Sequence, residues 1–465
     1  MEVVAADRLA VAEQRSLPRV QINLPYSADE KFHGQILNIT EEGILFSVSK
    51  AITIRPDSEI KLQVRFPLKS ITLAAKVKWC RAAEYNGHLV CGAEIMGLSD
   101  KLIKDIRRYV ISSCFRSVIK KIKNKQARRY VLGFAKDFRE YIFSLVDMDR
   151  TINSGIIDKA MLESKLAELN NGIVMKGYAL KKKIDNKLII KHVKEEFRGL
   201  VGCWAFRSQI MKRGFEKPKG YPGDYQTLET IYDWKTYSSD HELGYYFDRY
   251  FLNNPYADAV RNRKNILRDM LVKYIRNSNK PLKILNLASG SCREIRELYQ
   301  TSESNFLNKK VSYSFLDWDD DALEFSRSQL KNICSSAKFN FIKEDIVEFT
   351  RTGSFFEKNG PHNFVYSIGL ADYLPDRVLK RIIKTSYDGL TDDGVFVLAH
   401  KDKEVEFSHI PPEWFCDWEF IQRSEADLLK LVDEAGLGKY HCKLTRDATS
   451  QIFFVCLGRK NDSII

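Results

Sequence analysis

The spacing of the apolar residues changes twice along this chain, and each spacing is compatible with a different kind of fold. Between residues 20 and 115 the apolar residues alternate or form short runs separated by tight turns. From about residue 100 they recur at helical spacing, and from residue 281 short apolar runs alternate with amphipathic stretches. These patterns are typical, in turn, of a small antiparallel barrel, a helical region and a doubly wound α/β sheet.

We therefore predict a multidomain chain that combines a small antiparallel β-barrel, a basic helical connector, a helical cap and an α/β doubly wound, Rossmann-like domain. The predicted boundaries, in that order, are 12–115, 116–200, 201–280 and 281–465. A length of 465 residues agrees with this organisation, because domains usually hold about 100–200 residues.

Composition excludes several classes of protein. No window approaches the roughly 18–20 uninterrupted apolar residues of a membrane-spanning helix, and the first residues lack the basic and apolar regions of a signal peptide. The nine cysteines include no CxxC pair, which excludes a zinc ribbon, and we expect no metal site. We expect a soluble, cytoplasmic protein with reduced thiols.

The net charge of +13 is concentrated in one part of the chain. Residues 101–200 contain 24 Lys and Arg against 11 Asp and Glu, and the rest of the chain is balanced. Such a stretch is either the solvated face of a helical connector or a surface for an anionic membrane or an acidic partner. Nucleic acid is a less favoured partner, because aromatic and basic residues are not interleaved there.

Two short motifs flank the beginning of the barrel segment. Arg15 and Arg19 are spaced RxxxR before the first strand, and residues 38–43 read NxTxxG at a strand–turn–strand corner. Two guanidinium groups can bind phosphates bidentately and stack on purines. Asn and Thr on a rigid turn supply directional hydrogen bonds, and the glycine permits the turn.

Together, ahead of six predicted strands, these motifs resemble the PilZ domain, whose signature is RxxxR followed by [D/N]xSxxG. The resemblance covers about residues 12–115 and implies that the domain binds cyclic di-GMP; a barrel that serves only as scaffold is the alternative. Thr40 replaces the usual serine and keeps its hydroxyl, and Trp79 resembles a late-strand aromatic of the family, although we expect a core residue. The implied nucleotide-binding residues are Arg15, Arg19, Asn38, Thr40 and Gly43.

A second set of candidate residues follows the strands of the α/β segment. Residues 288–292, ASGSC, form a small-residue turn between a strand and a helix, where backbone N–H groups can approach a ligand. Asp317 ends the next strand and Asp345 follows the third, positions that suit ribose and adenine recognition. A dinucleotide-binding domain is disfavoured, because GxGxxG is absent.

This stretch resembles the class I S-adenosylmethionine-dependent methyltransferases. Ala288 and Cys292 stand at two positions where that family usually has glycine, and Asn286 replaces an acid. The predicted cofactor-binding residues are Asn286, Ala288, Gly290, Asp317, Asp345 and Tyr366.

Three further segments make the resemblance more specific. They are KPKGYPGDY at 217–225, YSIGLADYL at 366–374 and RNR at 261–263. They resemble a methyltransferase family named for an extracellular-factor signal, which implies methyl-ester formation on 3-hydroxypalmitic acid. The methyl acceptor would then be a small acidic or acyl substrate. An ionised carboxylate needs no general base, so the enzyme chiefly positions it and excludes water. The predicted catalytic residues are Tyr221, Asp224, Tyr225, Asp372 and Tyr373, with 217–225 as a lid.

Three other functions remain open from the sequence. The first is RNA methylation along the basic stretch, the second is protein carboxyl methylation, and the third is a decayed methyltransferase fold that acts as a cyclic di-GMP effector through protein interaction. We interpret NNPY at 253–256 as a turn that begins a helix, and His400 as a structural residue or a substrate contact.

Overall fold

The computed structural model describes residues 20, 22, 24–28, 32–49, 51–67, 69–82, 88–155, 158–301, 308–352, 354–405, 407–438 and 442–460. The chain divides into two compact units. The first unit comprises Met1–Lys212, Tyr237–Tyr250 and Trp414–Cys416, and the second comprises Arg213–Thr236, Phe251–Glu413 and Asp417–Ile465. Within the described residues, no helix is both long enough and apolar enough to cross a membrane.

The first unit begins with a closed antiparallel barrel in the order β1-β2-β3-β6-β5-β4. Buried and exposed residues alternate along its strands, so that one face of each strand fills the barrel. This confirms the predicted six-stranded barrel. The strands are β1 Leu24–Ala28, β2 Phe32–Ile39, β3 Gly43–Ser49, β4 Glu59–Arg65, β5 Ser70–Ala82 and β6 His88–Met96.

A disulfide joins two neighbouring strands of the barrel. Cys80 on β5 is paired directly opposite Cys91 on β6, with Cα atoms 4.1 Å apart. The expectation that all thiols are reduced was therefore wrong for this pair. The sequence does not reveal the pairing, because it depends on the register between the two strands.

Helices follow the barrel, and polar side chains cap the beginnings of several of them. Ser99, Asn124, Asp158 and Asn186 each accept a hydrogen bond from a backbone N–H in the first turn. The helices are α1 Asp100–Ser112, α2 Arg116–Lys121, α3 Lys125–Asn153, α4 Lys159–Lys183, α5 Lys187–Ala205, α6 Gln209–Glu216, α7 Tyr225–Tyr232, α8 Leu243–Leu252 and α9 Pro255–Asn277. Asn254 caps α9, which confirms that NNPY begins a helix.

The second unit contains a seven-stranded sheet in the order β12-β13-β11-β10-β7-β8-β9. Five strands are parallel, and β13 is antiparallel to both β11 and β12. Because the order proceeds outward from β7 in both directions, the switch point lies between β7 and β10. The strands are β7 Leu282–Leu287, β8 Val311–Asp317, β9 Ala337–Lys343, β10 His362–Ser367, β11 Leu390–Lys401, β12 Cys442–Arg446 and β13 Ile452–Gly458.

Two apolar clusters cover the two faces of this sheet. The remaining helices are α10 Arg293–Thr301, α11 Asp320–Leu330, α12 Ile346–Thr352, α13 Ser354–Asn359, α14 Asp376–Asp388, α15 Ile410–Cys416 and α16 Glu425–Glu434, with a 3₁₀ turn at Ala371–Tyr373. The parallel strands carry their carboxyl ends to one edge, which is where open α/β sheets bind ligands.

Candidate functional site

The turn between β2 and β3 is shaped by Thr40 and Gly43. Thr40 Oγ1 accepts hydrogen bonds from the backbone N–H groups of Glu42, at 3.2 Å, and Gly43, at 3.1 Å. A Cβ atom on Gly43 would lie 2.9 Å from the carbonyl oxygen of Ala93, so the close approach of β6 requires glycine. Both predicted residues therefore fix the shape of this turn.

Asn38 begins a row of residues that crosses the outer face of the barrel. It follows a register shift at Ile36, and it pairs with Leu45, which pairs with Gly92, which pairs with Trp79. Trp79 is 36% exposed, so the expected core position was wrong. Its indole lies across Gly92, where a Cβ atom would be 2.5 Å from the ring. The row therefore has the side-chain amide of Asn38 at one end and the indole ring of Trp79 at the other.

The same turn is ionically linked to the helix after the barrel. Glu41 accepts hydrogen bonds from Arg107 of α1, and both side chains are largely buried. The other two predicted nucleotide-binding residues, Arg15 and Arg19, lie outside the described residues. Their role stays a prediction.

In the second unit, the loop between β7 and α10 has an unusual backbone. Ala288, Gly290 and Cys292 have φ values of 56°, 54° and 50°. This left-handed conformation costs about 1 kcal/mol for a residue with a Cβ atom. The loop therefore keeps the backbone of a glycine-rich turn at two positions that carry side chains.

Asp317 closes this loop from the end of β8. Its Oδ2 accepts from the backbone N–H of Gly290 at 2.8 Å, and its Oδ1 accepts from that of Asp319 at 3.0 Å. Burial raises the pKa of Asp317. Asp345 is exposed and caps α12, because its Oδ1 accepts from the backbone N–H of Val347 at 2.6 Å.

Two polar atoms beside this loop are buried without a hydrogen-bond partner among the described residues, namely Ser289 Oγ and Asp319 Oδ2. Buried polar atoms are ordinarily paired. A polar ligand at the loop would satisfy both, so the residues present fit a nucleoside-type cofactor. We call residues 288–292 with Asp317 and Asp319 the cradle.

Asn286 and Tyr366 lie beneath the cradle. Glu294 Oε1 accepts hydrogen bonds from Asn286 Nδ2 at 3.0 Å and from the Tyr366 hydroxyl at 2.7 Å, and burial raises the pKa of Glu294. Both predicted cofactor residues thus have protein partners, and their contact with a cofactor stays a prediction. Glu294 was not among the predicted site residues, although its place two residues after the loop was a visible signal.

The segment 217–225, which we call the strap, is fastened at two points. Lys219 Nζ lies 3.0 Å from Asp319 Oδ1 of the cradle and also pairs with Asp321. Lys217 Nζ donates to the carbonyl oxygen of Asp417 at 2.8 Å. The strap is therefore tied directly to the cradle.

Two of the predicted catalytic residues hold the end of the strap. Asp224 is buried, accepts from Arg213 Nε at 2.9 Å and caps α7 through the backbone N–H of Thr227 at 2.9 Å. The ring of Tyr225 packs against Phe325, with centroids 5.2 Å apart. In this structure both side chains act in positioning.

Tyr221 of the strap packs against Trp318, which lies between the cradle residues Asp317 and Asp319 in the sequence. Its ring lies 6.0 Å from that of Trp318, centroid to centroid. Burial, together with the carboxylates of Asp317 and Asp319, raises the pKa of its hydroxyl, which is therefore neutral at physiological pH. Tyr221 can donate a hydrogen bond there.

A pocket opens at the same edge of the sheet, with about 560 Å³ of space not filled by atoms, part of it open to solvent. It brings together the predicted residues Asp372 and Tyr373. Trp418 Nε1 donates to the Tyr373 hydroxyl at 2.8 Å, and Asp372 Oδ1 accepts from the backbone N–H of Lys401 at 2.9 Å. Other residues that line it are Gly223, Arg263, Lys401, Trp418 and Phe420.

Lys401 also lines the pocket and was not among the predicted site residues. It is the last residue of β11 and only 5% exposed. Burial lowers its pKa to about 7, with Asp372 opposing and Arg263 reinforcing the decrease. A lysine that ends an apolar strand was the available signal.

His400 has structural partners on both ring nitrogens. Its Nδ1 lies 2.7 Å from the Lys401 carbonyl oxygen and its Nε2 lies 3.1 Å from Arg423 Nη1. Burial lowers the pKa of His400. The ring is therefore neutral and accepts from the guanidinium through Nε2, which supports the structural interpretation.

Comparison with known proteins assigns the barrel. Residues 13–112 match the family profile of the PilZ domain. The chain contains a PilZ domain. No curated protein matches the chain.

The solved structures that the chain resembles include three at low sequence identity. A possible exported protein from Bordetella parapertussis is 14% identical, with 68% of this chain and 96% of that one covered and a TM-score of 0.40. Magnesium protoporphyrin IX methyltransferase from Synechocystis, with bound SAM, is 14% identical, with coverages of 44% and 83% and a TM-score of 0.31. A SAM-dependent methyltransferase from Agrobacterium tumefaciens is 13% identical, with coverages of 43% and 62% and a TM-score of 0.31. The predicted fold class is confirmed for the PilZ-like barrel, the helices and the doubly wound α/β sheet.

Proposed function

We propose that the protein is a cyclic di-GMP-responsive, S-adenosylmethionine-dependent methyltransferase that converts a small-molecule carboxylate, such as a hydroxy fatty acid, to its methyl ester. The observation that carries this proposal is the strap. Lys219 binds the cradle and Gly223 lines the pocket, so one segment spans a nucleoside-type site and an aromatic pocket at the carboxyl edge of the sheet.

Adenosylmethionine would supply an electrophilic methyl group when bound. The residues that would hold it are Ser289, Gly290, Asp317 and Asp319, because two buried polar atoms there lack a partner within the described parts of the chain. Asp317 keeps the loop closed through the Gly290 N–H. Tyr221 offers a neutral hydroxyl beside these carboxylates.

The acceptor is best matched by a carboxylate. It is ionised at neutral pH and needs no general base, so the chain has to hold it, orient it and exclude water. Aromatic residues of the pocket exclude water, and the Trp418–Tyr373 hydrogen bond fixes two of their rings. The resemblance to the extracellular-factor family supports a hydroxy fatty acid.

The PilZ domain supports cyclic di-GMP as the regulatory ligand. Arg15 and Arg19 are proposed to bind the phosphates of cyclic di-GMP, with Asn38 and Trp79 on the outer face of the barrel as amide and stacking contacts. The Glu41–Arg107 ion pair links the turn between β2 and β3 to α1. Nucleotide binding at this turn is proposed to act on the helices through that pair.

Methyl-labelled adenosylmethionine, purified protein and a cell extract test the proposal, with and without cyclic di-GMP. Label in the lipid fraction that depends on the nucleotide is the expected result. Arg15→Ala with Arg19→Ala should remove the nucleotide dependence and keep the basal transfer. Label in RNA or protein would reject the carboxylate substrate class.

A decayed enzyme is the second candidate, because Ala288 and Cys292 stand at two positions where the resembled methyltransferase family usually has glycine. It predicts no label in any fraction and no adenosylmethionine binding, while cyclic di-GMP binding persists. Calorimetry with adenosylmethionine on the same protein separates the two functions.

A further inference from the structure

The side chain of Lys401 is buried, and aromatic rings surround its Nζ. The nitrogen lies 3.0 Å from the ring centroid of Phe420, 4.8 Å from that of Tyr256 and 5.7 Å from that of Trp418. Ring faces stabilise a cation only in part. A buried ammonium group among aromatic rings is stable only when an anion pairs with it.

A second cation faces the same pocket. Arg263 is 4% exposed, and its Nε is buried without a partner in the described structure. The hydroxyl of Tyr256, also in the pocket lining, is likewise unpaired there. Asp372 is the carboxylate that acts on Lys401, and it offsets one positive charge of the two. With Lys401 protonated, the pocket therefore carries one unbalanced positive charge and several unused donors.

We propose that Lys401 and Arg263 bind the carboxylate of the methyl acceptor, with Tyr256 as an additional donor and the aromatic rings against the acyl chain. This inference rests on the proposed function and names the residues that select an anionic acceptor. One carboxylate supplies one negative charge and four lone-pair directions, which match the unused donors.

The site would also distinguish the substrate from the product. In methyl transfer a lone pair of the carboxylate oxygen forms the O–CH₃ bond, and the electrons of the S–CH₃ bond return to sulfur. The carboxylate therefore becomes a neutral ester while the sulfonium becomes a neutral thioether. The ester can no longer neutralise Lys401, so the ammonium is again unpaired. Lys401 therefore favours binding of the acid over binding of the ester.

The same geometry makes acid binding dependent on pH. The groups that face or neighbour Lys401 are Asp372 on the 3₁₀ turn, Arg263 and Tyr256 on α9, Tyr373, and His400 on its own strand, which is bonded to Arg423. Because the pKa of Lys401 is about 7 in the free pocket, an anion bound above pH 7 has to draw one proton onto the amine. The affinity for the acid should then fall by close to tenfold per pH unit between pH 7 and 9.

Calorimetric titration of the full chain with 3-hydroxydecanoic acid and with its methyl ester tests the inference. The wild type should bind the acid about 30-fold more tightly than the ester at pH 6.5, as expected for a charged hydrogen bond. Lys401→Met should abolish that preference and the pH dependence, whereas Lys401→Arg should keep acid binding at pH 9. Lys403→Met is the matched control, because Lys403 is exposed and pairs with Asp427.

Equal affinity of the wild type for acid and ester, no binding of the acid, or an unchanged pH slope in Lys401→Met would overturn the inference. Adenosylmethionine binding and label transfer are measured on the same preparations. Selective acid binding that requires Lys401, without transfer, would reject the proposed function and keep this inference. Methyl transfer to lipid at the same rate in the wild type and in Lys401→Met would keep the proposed function and reject this inference.

Discussion

Replacing Lys401 by methionine should change how the stability of the protein depends on pH. The pKa of this amine is lowered by burial from 10.5 to about 7 in the folded protein. The unfolded chain therefore binds more protons between these two values, and the stability of the wild type rises with pH across that window. At 1.36 kcal/mol for each unit of pKa difference, the whole effect is about 5 kcal/mol as an upper bound. Between pH 6 and 9 it amounts to roughly 3 kcal/mol.

Methionine has a similar length and does not titrate, so the variant should lack this increase. Urea unfolding followed by tryptophan fluorescence at pH 6, 7, 8 and 9 measures it, and Trp418 lies close enough to Lys401 to report on the pocket. The quantity of interest is the stability of the wild type minus that of the variant. Lys403→Met controls for removal of an exposed lysine. A difference that stays constant from pH 6 to 9 would refute the reasoning.

Three further predictions concern the cradle and the turn between β2 and β3. Asp317→Ala should abolish adenosylmethionine binding, because the Gly290 N–H loses its acceptor, and should leave cyclic di-GMP binding intact. Calorimetry with each ligand measures both affinities, and retained affinity for adenosylmethionine would contradict the prediction. Ala288→Gly should stabilise the protein by up to about 1 kcal/mol in urea unfolding, because it relieves a positive φ; a loss of stability would contradict this account. Arg107→Met should keep the affinity for cyclic di-GMP and reduce its effect on turnover, and an unchanged effect would exclude the Glu41 link.

The positions of the residues that follow the parallel strands were predictable from the sequence, because parallel strands bring their carboxyl ends to one edge of the sheet. This reasoning predicted Asp317 and Asp372 at the carboxyl edge of the sheet, where both residues lie. The Asn254 cap followed from local chemistry, since an Asn before Pro is a common beginning of a helix. Such features depend on neighbours in the sequence or on the sheet topology alone.

Features that depend on contacts between distant residues were not predictable. Trp79 lies outside the barrel because Gly92, on the neighbouring strand, leaves room for the indole. The Cys80–Cys91 disulfide depends on that same strand register. Lysine is seldom buried, so a strand that ends in HK was only a weak signal for the burial of Lys401.

The strained loop bears on whether the enzyme is active or decayed. Backbone strain persists only where the surrounding structure holds it, and it is concentrated at functional sites. Here the Gly290 carbonyl oxygen accepts from Ser326 at 2.8 Å while its N–H donates to Asp317, so the loop is held from both sides. A loop that had lost its ligand could relax Ala288 and Cys292 to negative φ at no cost to function. The retained geometry therefore supports a working cofactor site over a decayed one, and adenosylmethionine binding by the wild type is the measurement that decides between them.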